Sequence, residues 1–176
     1  MEEIVDVVDI NDMVVGSAPR KGIHATGKLH RAAHIFLFNK EGKLWLEKRA
    51  MHCDNYPGYY SSSAAGHISK DEDYITGAKR EAEEELGIVD LTLNFIHKFS
   101  PSAESMNEFI SLYVAESTKI PRPCEDTERF DLFTLEEISA MITSKTARMS
   151  DSFVRLFNKV SGKSHTIHGW DESEPL

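Results

Sequence analysis

Residues 66–88 read GHISKDEDYITGAKREAEEELGI. From about Asp73 the apolar period becomes helical: Ile75, Ala78, Ala82 and Leu86 share one stripe, Asp71 or Asp73 offers an N-cap, and Gly87 offers a stop. Glu81, Glu84 and Glu85 form a neighbouring stripe, and with Glu83 they place four carboxylates within about one and a half turns. Like charges at i,i+3 and i,i+4 weaken an ordinary surface helix. A bound cation would remove that conflict. The stretch therefore predicts a helix that packs through one stripe and presents the acidic stripe outward beside it.

Upstream, Pro57-Gly58 breaks the chain and Tyr59 through Gly66 reads as a strand of small residues, which lets another group approach its backbone closely. His30 through Phe38 and Lys43 through Arg49 read as a hairpin about the turn Asn39-Lys40-Glu41-Gly42. Residues Ile4 to Ile10 and Met13 to Val15 read as an earlier hairpin, and Gly16 to Lys28 as a loop carrying Arg20, Lys21 and Lys28. Downstream, Leu91 to Phe99, Phe109 to Ala115 and Phe130 to Phe133 read as strands. Thr134 and Glu137 form a capping box for a helix over Leu135 to Ile142, and Asp151 to Val160 reads as a last helix. The pattern predicts an α/β chain with a mixed sheet flanked by helices, in one domain over residues 1–162, followed by a loosely ordered acidic tail over 163–176.

Composition narrows the function classes. A chain of 176 residues with 40% hydrophobic content suits a single core. A net charge of −9 argues against a general nucleic-acid backbone binder, which would carry a basic stripe. The N-terminus, MEEIVDVVD, lacks the basic-then-apolar layout of a signal peptide, and no apolar run reaches the length of a membrane span. Cys53 and Cys124 match no metal or disulfide spacing and read as buried or idle thiols in a reducing compartment. These features predict a soluble cytoplasmic protein that binds neither nucleic acid nor membrane. A homodimer is compatible with the sequence, which says nothing further of assembly.

The spacing of the opening stretch is itself a pattern: Gly66, five residues, Glu72, seven residues, Arg80-Glu81, Ala82, one residue, Glu84-Glu85, one residue, Gly87-Ile88. Seven fixed positions coincide by chance on the order of once in 10⁸ windows at average residue usage. The chain resembles a Nudix hydrolase at every fixed position of that family's box. The resemblance implies an α/β/α sandwich and cleavage of a pyrophosphate P–O–P bond, in a nucleoside diphosphate or a small molecule linked to one. It also implies metal-binding or base roles for Glu81, Glu84 and Glu85, and a bracing salt bridge between Arg80 and Glu72. The chemistry of the stripe agrees. Mg²⁺ accepts a few carboxylates while keeping sites for water and phosphate oxygens, and Mn²⁺ can substitute. Such a cation neutralises diphosphate charge and lowers the pKa of an attacking water. Lys48 and Arg49 are candidate phosphate contacts. The base stays open between Glu81 and a carboxylate outside the box, such as Glu108 or Asp126.

Outside the box, His24, the run Leu29-His30-Arg31-Ala32, Lys48-Arg49-Ala50 and Tyr56-Pro57-Gly58 resemble the Nudix subgroup related to type I isopentenyl-diphosphate isomerase. That resemblance implies metal or substrate roles for His67 and Glu108, and leaves open a second, histidine-based metal site at His24 and His30. Two departures weigh against isomerase chemistry. Ala65 stands where the isomerase has its cysteine and Met106 where it has one of two glutamates, and neither side chain can move a proton across an alkene. Cys53 or Asp54 stands where a diphosphate-gripping lysine is expected. Hydrolysis is the expected reaction, with the isomerase as the alternative.

Overall fold

The central strand β3 (His30–Phe38) is apolar at alternate positions on both faces, so it needs cover on both sides. On one face Ala33, Ile35 and Leu37 pack against Ala78, Ala82 and Leu86 of helix α2 (Tyr74–Leu86). On the other, Ala32, Phe36 and Phe38 share a cluster with Phe153, Leu156 and Phe157 of α4 (Asp151–Ser161) and Ile138 of α3 (Leu135–Ser144). A computed structural model describes residues 3–161, and the expectation of a loose tail lies outside them. The α/β/α sandwich anticipated from the sequence is the observed architecture.

The remaining elements are β1 (Ile4–Val8), β2 (Val14–Pro19), α1 (Arg20–Thr26), β4 (Leu44–Arg49), β5 (Tyr60–Ser61), β6 (Ala64–His67), β7 (Asn94–Phe99), β8 (Glu108–Glu116) and β9 (Thr127–Phe133). β1 and β2 form a separate antiparallel pair; the main sheet runs β5-β4-β3-β8-β7, with β6 paired to β3 and β9 to β4. β8 runs parallel to β3 from His30↔Glu108 to Phe38↔Glu116.

One local feature creates the cleft. The β3–β4 hairpin keeps only the pairs Leu37↔Trp45 and Phe38↔Leu44, after which the strands part and β6 pairs with β3 instead. At the fork Ser63 substitutes for the missing ladder. Its Oγ accepts from the Leu37 amide at 2.8 Å and donates to the Trp45 carbonyl at 2.6 Å. Buried backbone groups left without such a partner would be costly.

Three expectations are corrected. The segment from Tyr59 to Gly66 is two short strands, because Ser63 bridges the fork and Ser62 turns to His34. The segment from Gly16 to Lys28 is not a loop: β2 continues to Pro19, and α1 follows, held by the fully buried Ile23 and closed by Gly27 in the left-handed conformation (φ 63°). The strand expected to start at Phe130 begins at Thr127, paired along β4. The Asp73 N-cap, the Gly87 stop and the Thr134–Glu137 capping box all form. Among the described residues no helix is long and apolar enough to cross a membrane.

The hairpin of β1 and β2 is pinned to the sheet through Asp12. Its carboxylate accepts from Arg31 Nε at 2.6 Å, Lys98 Nζ at 2.9 Å and Tyr74 Oη at 3.0 Å. Burial works to raise its pKa, but the hydrogen bonds from Arg31 and Lys98 prevail and hold it below the ordinary 3.8. Asp12→Asn is expected to cost about 2–3 kcal/mol in urea unfolding at neutral pH, since hydrogen bonds to charged groups are lost. Because the folded pKa is depressed, this contribution is present above the ordinary value and fades as pH falls below it. The gap between wild type and variant should therefore narrow as unfolding is repeated toward acid pH.

Candidate functional site

The parallel register of β3 and β8 sets His30 beside Glu108 at the starts of both strands. Antiparallel pairing sets His67, the last residue of β6, opposite Ala32. α1 then brings His24 over the pair. The ligand atoms of His24, His30, His67 and Glu108 all lie within 4.8 Å of one another. His67 Nε2 is 3.0 Å from His24 Nε2 and 3.2 Å from Glu108 Oε1, and His30 Nε2 is 3.4 Å from the same oxygen.

This cluster is built like a metal cage. His30 Nδ1 donates to the Lys28 carbonyl at 2.9 Å, so in the neutral ring Nε2 carries the lone pair, and that buried nitrogen has no hydrogen-bond partner. A ring nitrogen fixed by a carbonyl while its other nitrogen faces a carboxylate is the usual support of a metal-bound histidine. Burial, then the neighbouring His67 and His30, push His24 below the ordinary imidazole value, which keeps it an electron-pair donor. Burial alone would raise Glu108, but the adjoining rings of His30 and His67 bring it down to about 2, so it is an anion at neutral pH. Three imidazoles and a carboxylate suit a first-row divalent cation such as Mn²⁺ or Zn²⁺ better than Mg²⁺.

The box glutamates approach the same strand from beneath. Gly66 leaves space that Glu81 fills: a Cβ on Gly66 would lie 2.1 Å from the Glu81 carboxyl carbon. Glu85 Oε2 accepts from the Ala65 amide at 2.8 Å. The stripe therefore does not simply face outward: Glu81 is buried and Glu85 half-buried, and only Glu83 and Glu84 are exposed. Arg80 binds Glu72 through two hydrogen bonds of 3.0 and 3.1 Å, as the family resemblance implied. It also donates to Glu81 at 2.6 Å, Glu84 at 3.2 Å and the His67 carbonyl at 2.9 Å.

Burial raises Glu85 well above 4.5, with Glu47 and Glu81 adding to the effect. It also raises Glu81, against the opposing charge of Arg80. Carboxylates raised together in this way suit an oxygen-seeking cation, and Mg²⁺ fits them by donor type. Glu47 is a site residue that the sequence reading missed. It is buried on β4, bonded to Thr127 Oγ1 at 2.9 Å, and burial raises it as well. Strand parity was the available signal, since Glu47 shares the face of Trp45 and Arg49.

A solvent-open cleft adjoins these parts. Ala65, Gly66, His67 and Glu108 line one wall, and Arg20 and Arg49 supply cations. Ala65 and Met106, the two positions that depart from the isomerase pattern, both face this cleft. Lys48 is elsewhere: its ammonium sits 4.5 Å over the Tyr60 ring. Asp126 is also apart, in an exposed pair with His52 at 3.4 Å. The fold brings Cys53 into that neighbourhood, with Sγ 3.3 Å from the Asp126 carbonyl, and both cysteines are free thiols.

A model of the NUDIX domain matches residues 28–156. The chain is 40% identical over 91 residues to an uncharacterized Nudix hydrolase of Pseudomonas aeruginosa, spanning 52% of this chain and 54% of that one. It is 32% identical over 127 residues to an isopentenyl-diphosphate Delta-isomerase of Streptomyces griseus, spanning 68% and 64%. The chain thus spans between about half and two thirds of the length of these curated relatives. The crystal structure of DR0079 from Deinococcus radiodurans superposes with a TM-score of 0.78 at 26% identity, covering 89% of this chain and 98% of that one.

Two outcomes follow from this geometry. In Gly66→Ala the new methyl collides with the Glu81 carboxyl, so Mn²⁺ affinity, measured by calorimetry, is expected to fall about 10- to 100-fold. Glu85 has a raised folded pKa, so its ionisation destabilises the metal-free protein, increasingly as pH rises above 4.5. Metal-free Glu85→Gln should therefore unfold at a higher urea concentration than metal-free wild type at neutral pH, and the difference should vanish near pH 4.

Proposed function

The chain belongs to the Nudix family, and from that premise we propose that it hydrolyses the P–O–P bond of a nucleoside diphosphate or of a small molecule linked to one. The observation that carries this reading is the seating of Glu81 and Glu85 against Gly66 and Ala65, the two residues whose other side forms a wall of the cleft. The carboxylates thereby lie directly behind the wall of a solvent-open cleft.

Mg²⁺, with Mn²⁺ as substitute, bound by Glu81, Glu84 and Glu85 would neutralise the diphosphate and acidify an attacking water. Arg49 is the side chain best placed to grip phosphate. Its Nε is tied to the Asn55 carbonyl at 3.0 Å and its Nη1 lies 3.5 Å from Glu47, so the fork is held in a fixed direction. Arg20 adds a second cation at the cleft. A carboxylate oxygen of Glu81 or Glu85 left free by the cation would accept a proton from the attacking water. Arg80, saturated by five acceptor contacts, is a brace and not a phosphate ligand. His24, His30, His67 and Glu108 would hold a second cation on the far side of Gly66.

The alternative, isomerisation of isopentenyl diphosphate, is favoured by the names of several relatives. It is opposed by Ala65 and Met106, which leave the cleft wall without the proton carriers that allylic transfer needs.

Incubation with a panel of nucleoside diphosphates, dinucleotides and sugar nucleotides plus Mg²⁺ should release phosphate or nucleoside monophosphate from at least one. Release from none would sink the hydrolase, and solvent deuterium uptake into isopentenyl diphosphate would establish the alternative. Glu85→Gln is expected to lower kcat by about 10²–10⁴-fold with an unchanged circular dichroism spectrum.

A further inference from the structure

The turn that leaves β4 meets the start of β9 away from the cleft. Arg49 pairs with Thr127, and the Ala50 amide donates to the Asp126 carbonyl at 2.8 Å. The chain then turns, with the Cys53 amide donating to the Ala50 carbonyl at 3.3 Å, and the Cys53 thiol comes back to the same Asp126 carbonyl, also at 3.3 Å. The sulfur is therefore held by backbone. His52, next to it in the turn, sets its Nε2 3.4 Å from Asp126 Oδ1. One ligand atom each from His52, Cys53 and Asp126 thus lies within 4.8 Å of the other two. None of the three residues lines the cleft.

The donor set is selective. A thiolate and an imidazole favour Zn²⁺ over the Mg²⁺ that the box carboxylates suit. The spacing agrees: Zn–N and Zn–O bonds of about 2.0–2.2 Å at a tetrahedral angle put the two donor atoms about 3.3–3.5 Å apart, and the His52–Asp126 separation falls in that range. A Zn–S bond of about 2.3 Å asks the sulfur to lie about 3.6 Å from each of them. The His52 and Asp126 side chains are both 61% exposed, so they have room to close onto the fixed thiol. Three protein donors leave the fourth tetrahedral position to water. Cys124 is engaged elsewhere. Its Sγ is 3.2 Å from Thr127 Oγ1, whose own proton goes to Glu47, so the Cys124 thiol is the donor of that pair.

We propose that His52, Cys53 and Asp126 form a zinc site, separate from the box and from the histidine cage, with one position left for water. Binding exchanges the Cys53 S–H proton, released to solvent, for an S–Zn bond, while His52 and Asp126 supply lone pairs. The cation clips the turn after β4 to the start of β9. That turn continues to Asn55, whose carbonyl holds Arg49 Nε at 3.0 Å, so the clip steadies from behind the segment that fixes Arg49 at the cleft.

Co²⁺ replaces Zn²⁺ in sites of this kind, and a thiolate bound to it gives an intense near-ultraviolet charge-transfer band. Neither the box nor the cage has a sulfur donor, so neither produces that band. Wild-type protein, kept reduced with a phosphine and titrated with Co²⁺, should develop the band to saturation, and Zn²⁺ but not Mg²⁺ should abolish it. Cys53→Ser should lack the band, and Cys124→Ser should keep it. His52→Ala and Asp126→Ala, both at exposed positions where the fold is not at stake, should each weaken Co²⁺ binding read from the band by at least about 10-fold, the loss expected even for an outer-shell partner. No band in wild type, a band that survives Cys53→Ser or is lost in Cys124→Ser, or unchanged affinity in the His52 or Asp126 variant overturns the assignment. The readout is spectroscopic, so it stands whether or not the chain hydrolyses a diphosphate.

Discussion

The guanidinium of Arg80 is the constraint on which the site depends. Its planar fork holds Glu72 at two points and simultaneously meets Glu81, Glu84 and the carbonyl of His67. A lysine ammonium could not satisfy this set, since it lacks a rigid array of five donors. The contact to the His67 carbonyl matters most for geometry. It fastens α2 to the end of β6, so the carboxylates of the helix and the histidine cage become parts of one body. It also answers the electrostatic problem of the acidic stripe: one fixed cation serves Glu72, Glu81 and Glu84, and Glu85 is left to the Ala65 amide.

The second constraint is the parting of β3 from β4. A fully paired hairpin would close the sheet where the cleft now stands. Ser63 allows the opening by bridging the two strands with one hydroxyl, so no backbone group at the fork is abandoned. β6 then enters beside β3 with Ala64, Ala65 and Gly66, and small side chains are what let Glu81 and Glu85 come within contact of its backbone. The close approach permitted by a small-residue strand thus has its reason in the box helix beneath it.

Much of this was legible in the sequence where a periodic or capping rule was at work. The span and cap of α2, the capping box of α3 and the spine β3 follow from local spacing, whereas the Glu72–Arg80 bridge was implied by the family resemblance. What was illegible depended on distant partners. α1 is short, contains Gly22 and has a single buried anchor in Ile23, so no periodicity announced it. Glu81 and Glu85 sit on a stripe that looks solvent-facing, and only the glycine opposite them shows that they turn inward. Lys48 and Arg49 are adjacent in sequence, but strand parity sends one over Tyr60 and the other into the cleft. Cys53 and Asp126 are brought together by the β4–β9 pairing, which sequence spacing does not encode.

Relatives at 32–40% identity carry both hydrolase and isomerase names, so overall similarity does not separate the two chemistries. Side chains on the cleft wall do. An isomerase must deliver a proton to one face of an alkene and remove one from the other, yet Ala65 and Met106 are inert at the positions where the resemblance would place proton carriers. Hydrolysis asks less of those positions, because its proton traffic would run through water and the buried carboxylates below Gly66.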